Sequence, residues 1–131
     1  MFAVTKFARN APFMHHARKM ATIVDGVNFN NVAREWRMKW TTDNEKKSLA
    51  DIQKVVDTYL KEIKSNEGVH SVQRVVCGGC HDYKLVVALD TPSFGKWSGI
   101  DFHPEKTVLE ALSKIPGVTQ IETQTYTLEK M

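Results

Sequence analysis

Three patterns in the sequence predict an α+β fold whose elements follow the order β-α-β-β-α-β. Apolar and charged residues alternate from Val32 to Thr41, an apolar stripe recurs at three- and four-residue steps from Leu49 to Ile63, and two β-branched runs, Val69–Val76 and Tyr83–Leu89, flank a short turn. A second stripe (Val108, Leu109, Leu112, Ile115) and a Thr-rich closing segment complete the order. This is the split-βαβ or ferredoxin-like arrangement. Two right-handed crossovers then give one four-stranded antiparallel sheet with both helices on one face.

Each element has its own physical basis. Trp36, Met38 and Trp40 alternate with Glu35, Arg37 and Lys39, the period of two that a half-buried strand requires. Thr42-Asp43-Asn44-Glu45 fits a capping box at the head of the first helix, and Asn66 with Gly68 supplies its stop. The paired valines of the hairpin (Val75 with Val76, Val86 with Val87) make it apolar on both faces in places, and such a strand needs cover on both sides. Thr91–Phe102 reads as an irregular stretch holding at most a short helical turn. Pro104 suits the first position of the second helix, which Pro116-Gly117 ends, and the last strand spans about Thr119 to Leu128. The second sheet face, with Trp36 or its neighbours and the hairpin valines, is expected to be a large apolar area. Burying it against a second copy would close a dimeric α/β barrel.

At 131 residues the chain has room for one domain. No apolar run approaches the roughly 18 residues that cross a bilayer. Residues 1–24 hold four basic residues (Lys6, Arg9, Arg18, Lys19) and no acidic one, which leaves 14 basic against 15 acidic in the remainder. A nucleic-acid partner is therefore not expected, because the basic excess lies outside the folded region. The basic, acid-free, Phe- and Met-studded residues 1–24 have the composition of a mitochondrial targeting segment. Residues 25–31 read as a polar linker, and residues 32–131 as the ferredoxin-like domain.

The hairpin turn concentrates the chemistry: Cys77, Cys80, His81, Asp82 and Tyr83 fall within seven positions. Cys77-Gly-Gly-Cys80-His81 matches the pattern of c-type haem attachment, although such motifs sit at a helix start and this one joins two strands. Cys77, Cys80 and His81 also number three zinc donors, which His70 or His103 could complete. A redox dithiol is a third option. The plainest reading is a glycine-rich turn with two small thiols and no cofactor.

Placed on these elements, the chain resembles the ligand-binding (effector) domain of the leucine-responsive and asparagine-operon regulators, in the dimeric α/β-barrel superfamily. The residues that carry the resemblance are Gly79-Cys80-His81-Asp82-Tyr83 running into an apolar strand, and Leu112 to Val118, with its Pro116-Gly117-Val118, leading to the Thr-containing strand up to Leu128. The resemblance covers roughly Val32 to Leu128 and implies a ferredoxin-like homodimer with ligand-binding positions at Gly79, Asp82 and Tyr83, to which Trp36 is added from the first strand. Residues 1–31 cannot supply that family's helix-turn-helix, so DNA binding is not implied.

The expected function is a non-catalytic mitochondrial accessory protein. It would self-associate or dock, through its apolar sheet face, on a larger complex such as a respiratory-chain or ATP-synthase assembly. Two alternatives stand beside it: a small-molecule-binding or enzymatic barrel, and a zinc- or haem-bearing module at Cys77, Cys80, His81 and His103.

Overall fold

The computed structural model describes residues 21–131. A small hairpin, β1 (Ala21–Val24) and β2 (Val27–Phe29), leads into β3 (Asn31–Lys39) and helix α1 (Asp43–Lys64). Strands β4 (Val69–Val76) and β5 (Asp82–Asp90) follow, then helices α2 (Thr91–Gly99) and α3 (Glu105–Ser113), and finally β6 (Thr119–Leu128). The main sheet has the order β4-β5-β3-β6 with every neighbouring pair antiparallel. Strands β3 and β4 therefore run parallel on either side of β5, and β5 and β6 run parallel on either side of β3. This is the expected ferredoxin-like α+β architecture.

Register assigns the two faces. Val32, Trp36 and Met38 of β3 share one face with Tyr83, Leu85, Val87 and Leu89 of β5. Hydrogen bonds from this face reach α3 and α1: Trp36 Nε1 donates to Glu105, and Tyr83 Oη donates to Gln53. The α1 stripe closes on it through Ile52, Val56 and Ile63, and α3 through Val108 and Leu112, all buried. Each such aliphatic side chain contributes about 1.5–3 kcal/mol of burial.

Four expectations are revised. The expected linker at 25–31 is the turn and second strand of the β1–β2 hairpin, where Gly26 takes φ +86 and Phe29 enters the core. The capping box does not form: Thr42 makes no side-chain cap, and Asn44, Glu45 and Lys46 take left-handed φ of 52, 58 and 65. The Lys46 amide donates to the Thr42 carbonyl at 3.2 Å rather than to its hydroxyl, and Ser48 Oγ accepts from the Thr41 amide at 3.0 Å. The irregular stretch after β5 is the nine-residue helix α2, capped by Asp90, whose carboxylate accepts from the Ser93 amide at 2.8 Å.

The fourth revision concerns the second sheet face. Trp36 is 1% exposed and turned to the helices, as is Met38. The opposite face carries Arg37, Lys39, Lys84, Asp82, Gln73, Gln124 and Glu122, with Val86 and Val75 among them. It is mixed and polar rather than a large apolar area. The segment expected as a targeting sequence lies, over residues 1–20, outside the described residues. Among the described residues no helix is long and apolar enough to cross a membrane.

Candidate functional site

Among the described residues no helix packs on the polar face, and its side chains form rows across the four strands. One row is Ser71, Ala88, Ala33 and Tyr126, and the next is Gln73, Val86, Glu35 and Gln124. A third is Val75, Lys84, Arg37 and Glu122. The small side chains of the first row leave a shallow basin of about 610 Å³, with Asn31, Ser71 and Ala88 on its floor and His70, Leu128 and Lys130 around it.

Glu35, 3% exposed, lies one row away and outside the lining of the basin, in the row of Gln73, which does line it. Its Oε1 accepts from the Tyr126 hydroxyl at 2.9 Å, and its Oε2 accepts from Gln124 Nε2 at 2.7 Å. Burial, and then the Glu35 carboxylate, push the Tyr126 hydroxyl up to about 12. Tyr126 therefore stays a donor throughout the neutral range, and the two hydrogen bonds fix the orientation of the Glu35 side chain. The three residues meet because β3 and β6 are neighbours, with Glu35 opposite Gln124 and Ala33 opposite Tyr126.

At the far end of the same face, Asp82 joins Lys39 (2.8 Å) and Arg37 (3.5 Å). The hydrogen bond from Lys39 holds the Asp82 carboxyl below the usual carboxylate range, and Asp82 in turn holds Lys39 above its own. The Lys39 side chain is 31% exposed and that of Asp82 only 15%, so water screens the pair from the lysine side alone.

The residues singled out in the sequence do not form one site. Tyr83 is buried on the helix side and bonded to Gln53, its hydroxyl pushed up to about 12 by burial. Asp82, its chain neighbour, points to the other face. Trp36 belongs to a saturated cluster: Glu105 Oε1 accepts from Trp36 Nε1 at 2.7 Å and from Arg34 Nε at 2.8 Å. Arg34 also donates to Glu105 Oε2, Thr123 and Thr125 and lies 4.1 Å over the Phe102 ring. Gly79 is at the exposed tip of the hairpin, where neither it nor Gly78 is left-handed; His81 takes that role with φ 63.

For the metal reading, Cys77 and Cys80 stand together in the β4–β5 turn, while the His81 ring packs 4.6 Å from that of Trp40. His103 is at the opposite end of the sheet, bonded to Glu62 at 2.7 Å near the end of α1. Among the described residues no group of three or more His, Cys, Asp or Glu is placed to hold a metal ion. The turn joins two strands and begins no helix, unlike a c-type haem attachment site.

No protein-family model matches the chain, and no curated protein does. Solved structures do. A putative antibiotic biosynthesis monooxygenase from Caulobacter crescentus matches over 78% of this chain and 92% of its own, at 12% identity and a TM-score of 0.56. A dimeric ferredoxin-like protein from an uncultured marine organism matches over 78% and 90%, at 16% identity and a TM-score of 0.53. A monooxygenase from Streptomyces coelicolor, solved with the ligand nanaomycin D, matches over 79% and 90%, at 16% identity and a TM-score of 0.51. At these identities the likeness is one of fold, and none of the three is a leucine-responsive or asparagine-operon regulator. The expectation of a non-catalytic accessory subunit is overturned on two counts. Two of the three matched structures carry monooxygenase names, one of them as putative, and the face meant to dock on an assembly is polar.

Proposed function

We propose that this chain is a small-molecule-binding ferredoxin-like α/β-barrel protein of the enzymatic type, working as a homodimer. It holds an organic ligand in the basin on its helix-free face. Glu35 is the proton or hydrogen-bond acceptor for an acidic O–H or C–H of that ligand, and Tyr126 is the donor that keeps Glu35 oriented.

The observation that carries the reading is the Glu35 carboxylate, 3% exposed on a face where its row-neighbour is Val86. Withdrawing a carboxylate from water costs several kcal/mol, and a valine in that row would avoid the cost. Polar groups held in place beside a concavity are the usual marks of a ligand site. The monooxygenase solved with nanaomycin D supports the class of ligand, since it is a protein of this fold that takes an organic small molecule.

The test is a ligand-observed NMR screen of the full chain against a panel of aromatic phenols and quinones that includes nanaomycin D. Hits are expected to bind the Glu35→Gln variant about tenfold more weakly, the loss of roughly one charged hydrogen bond. Tyr126→Phe should weaken them less. An absence of hits, or hits indifferent to both substitutions, rejects this face as the site.

A further inference from the structure

The β4–β5 turn holds two free thiols in contact with one another's residues. The Cys80 amide donates to Cys77 Sγ at 3.0 Å, and Cys80 Sγ donates to Asp82 Oδ2 at 3.4 Å. The turn itself is closed by the His81 amide on the Cys77 carbonyl (3.1 Å) and the Cys77 amide on the Asp82 carbonyl (3.0 Å). Lys39 Nζ ties the Cys80 carbonyl from β3 at 2.8 Å. Cys77 is half-buried and Cys80 exposed. A Cβ placed on Gly78 or Gly79 would meet nothing within 4 Å, so no side chain packs over the two glycines between the cysteines.

We propose that Cys77 and Cys80 are a reversible dithiol–disulfide pair that exchanges with small-molecule disulfides, Cys77 as the attacking thiol and Cys80 as the resolving one. Residues three apart in a closed turn lie within about 7 Å at Cα, the separation a disulfide spans. The ring closed is so short that the bond adds little stability, which suits an exchanging bond better than a structural staple. The assignment of roles rests on the Cys80 amide, which donates to Cys77 Sγ at 3.0 Å and stabilises a thiolate there. The neighbouring Cys80 side chain, and then hydrogen bonds from the Cys80 and Gly79 amides, hold the Cys77 thiol below the ordinary range. The same pairing with Cys77 holds Cys80 above it.

With oxidised glutathione as the oxidant, exchange runs in two steps. The Cys77 thiolate attacks one glutathione sulfur, so a protein–glutathione S–S bond forms, the glutathione S–S bond breaks, and one glutathione thiolate leaves and takes up a proton. The Cys80 thiol then gives up its proton to solvent and attacks the Cys77 sulfur. The Cys77–Cys80 bond forms and the second glutathione leaves as a thiolate, which is protonated. Two protein thiols are oxidised and one glutathione disulfide is reduced to two thiols.

The experiment equilibrates the full-length chain with glutathione buffers of graded ratio under nitrogen and counts free thiols by maleimide gel shift and intact mass. The expected result is that both thiols disappear together in a single two-electron step with no glutathione retained. In Cys80→Ser the intermediate should accumulate as one bound glutathione, and Cys77→Ser should acquire glutathione about tenfold more slowly at pH 7. A wild-type chain that keeps both thiols free, or retains glutathione without forming the internal bond, overturns the proposal, and this arm needs no variant. Equal rates in the two serine variants overturn the assignment of roles.

Discussion

Glu105 receives two donors on one oxygen, Trp36 Nε1 and Arg34 Nε, deep between sheet and helices. The side chains of Arg34 and Glu105 are only 15% and 16% exposed, so neither can fall back on bulk water. Removing one partner of such a pair leaves the other charge buried and uncompensated, which costs about 3 kcal/mol. Glu105→Ala should therefore lower the urea midpoint by about 2 M, and Glu105→Gln, which keeps an acceptor, by roughly half as much. The contrast is Lys47–Asp51 on the surface of α1, with a lysine side chain 66% exposed: breaking it should cost no more than about 0.5 kcal/mol. Equal midpoints for Glu105→Ala and Lys47→Ala would show the cluster to be far less buried in solution.

Helix α2 exists because Asp90 caps it and because Phe94 and Trp97, three residues apart, go into the core. Asp90→Ala removes the acceptor for the Ser93 amide and should cost about 1 kcal/mol, seen as a melting temperature lower by about 4 °C. Near-ultraviolet dichroism from Trp97 should weaken with it; an unchanged melt would mean the cap is replaced by water. This helix was hidden in the sequence because Pro92, Gly95 and Gly99 read as loop, whereas the Asp90 cap and the spacing of the aromatics were its visible signals. Strands β3 and β6 were legible by alternation, β4 and β5 as β-branched runs flanking a turn, and α1 and α3 by their 3.6-residue stripes. Alternation in β3 separated Trp36 from Glu35 correctly but did not tell which side the helices would take. The Glu35–Gln124–Tyr126 cluster joins residues 89 and 91 positions apart, and only the pairing of β3 with β6 brings them together. The Cys77–Cys80 turn was legible as a motif, because its contacts are local.

On the scale of the whole molecule, the sheet has helices on one side and a polar, basin-bearing face on the other. Two such faces packed about 10 Å apart would roof the basin and turn a shallow depression into an enclosed site. In the homodimer proposed above, the cover is a second copy of this chain. The driving force cannot be apolar area, because Arg37, Lys39 and Lys84 stand there against Asp82 and Glu122. In the proposed dimer complementary charge would set register, and association through it would weaken as salt rises. Light scattering on the full chain should give about twice 14.9 kDa at low salt and shift toward the monomer at about 1 M salt. Val86→Arg, at the centre of the face beside Glu35, should abolish the dimer without loss of helix content, because Val86 takes no part in the helix-side core. A Val86→Arg chain that still sediments as a dimer would place the interface on another surface, and would leave the basin open to solvent on every protomer.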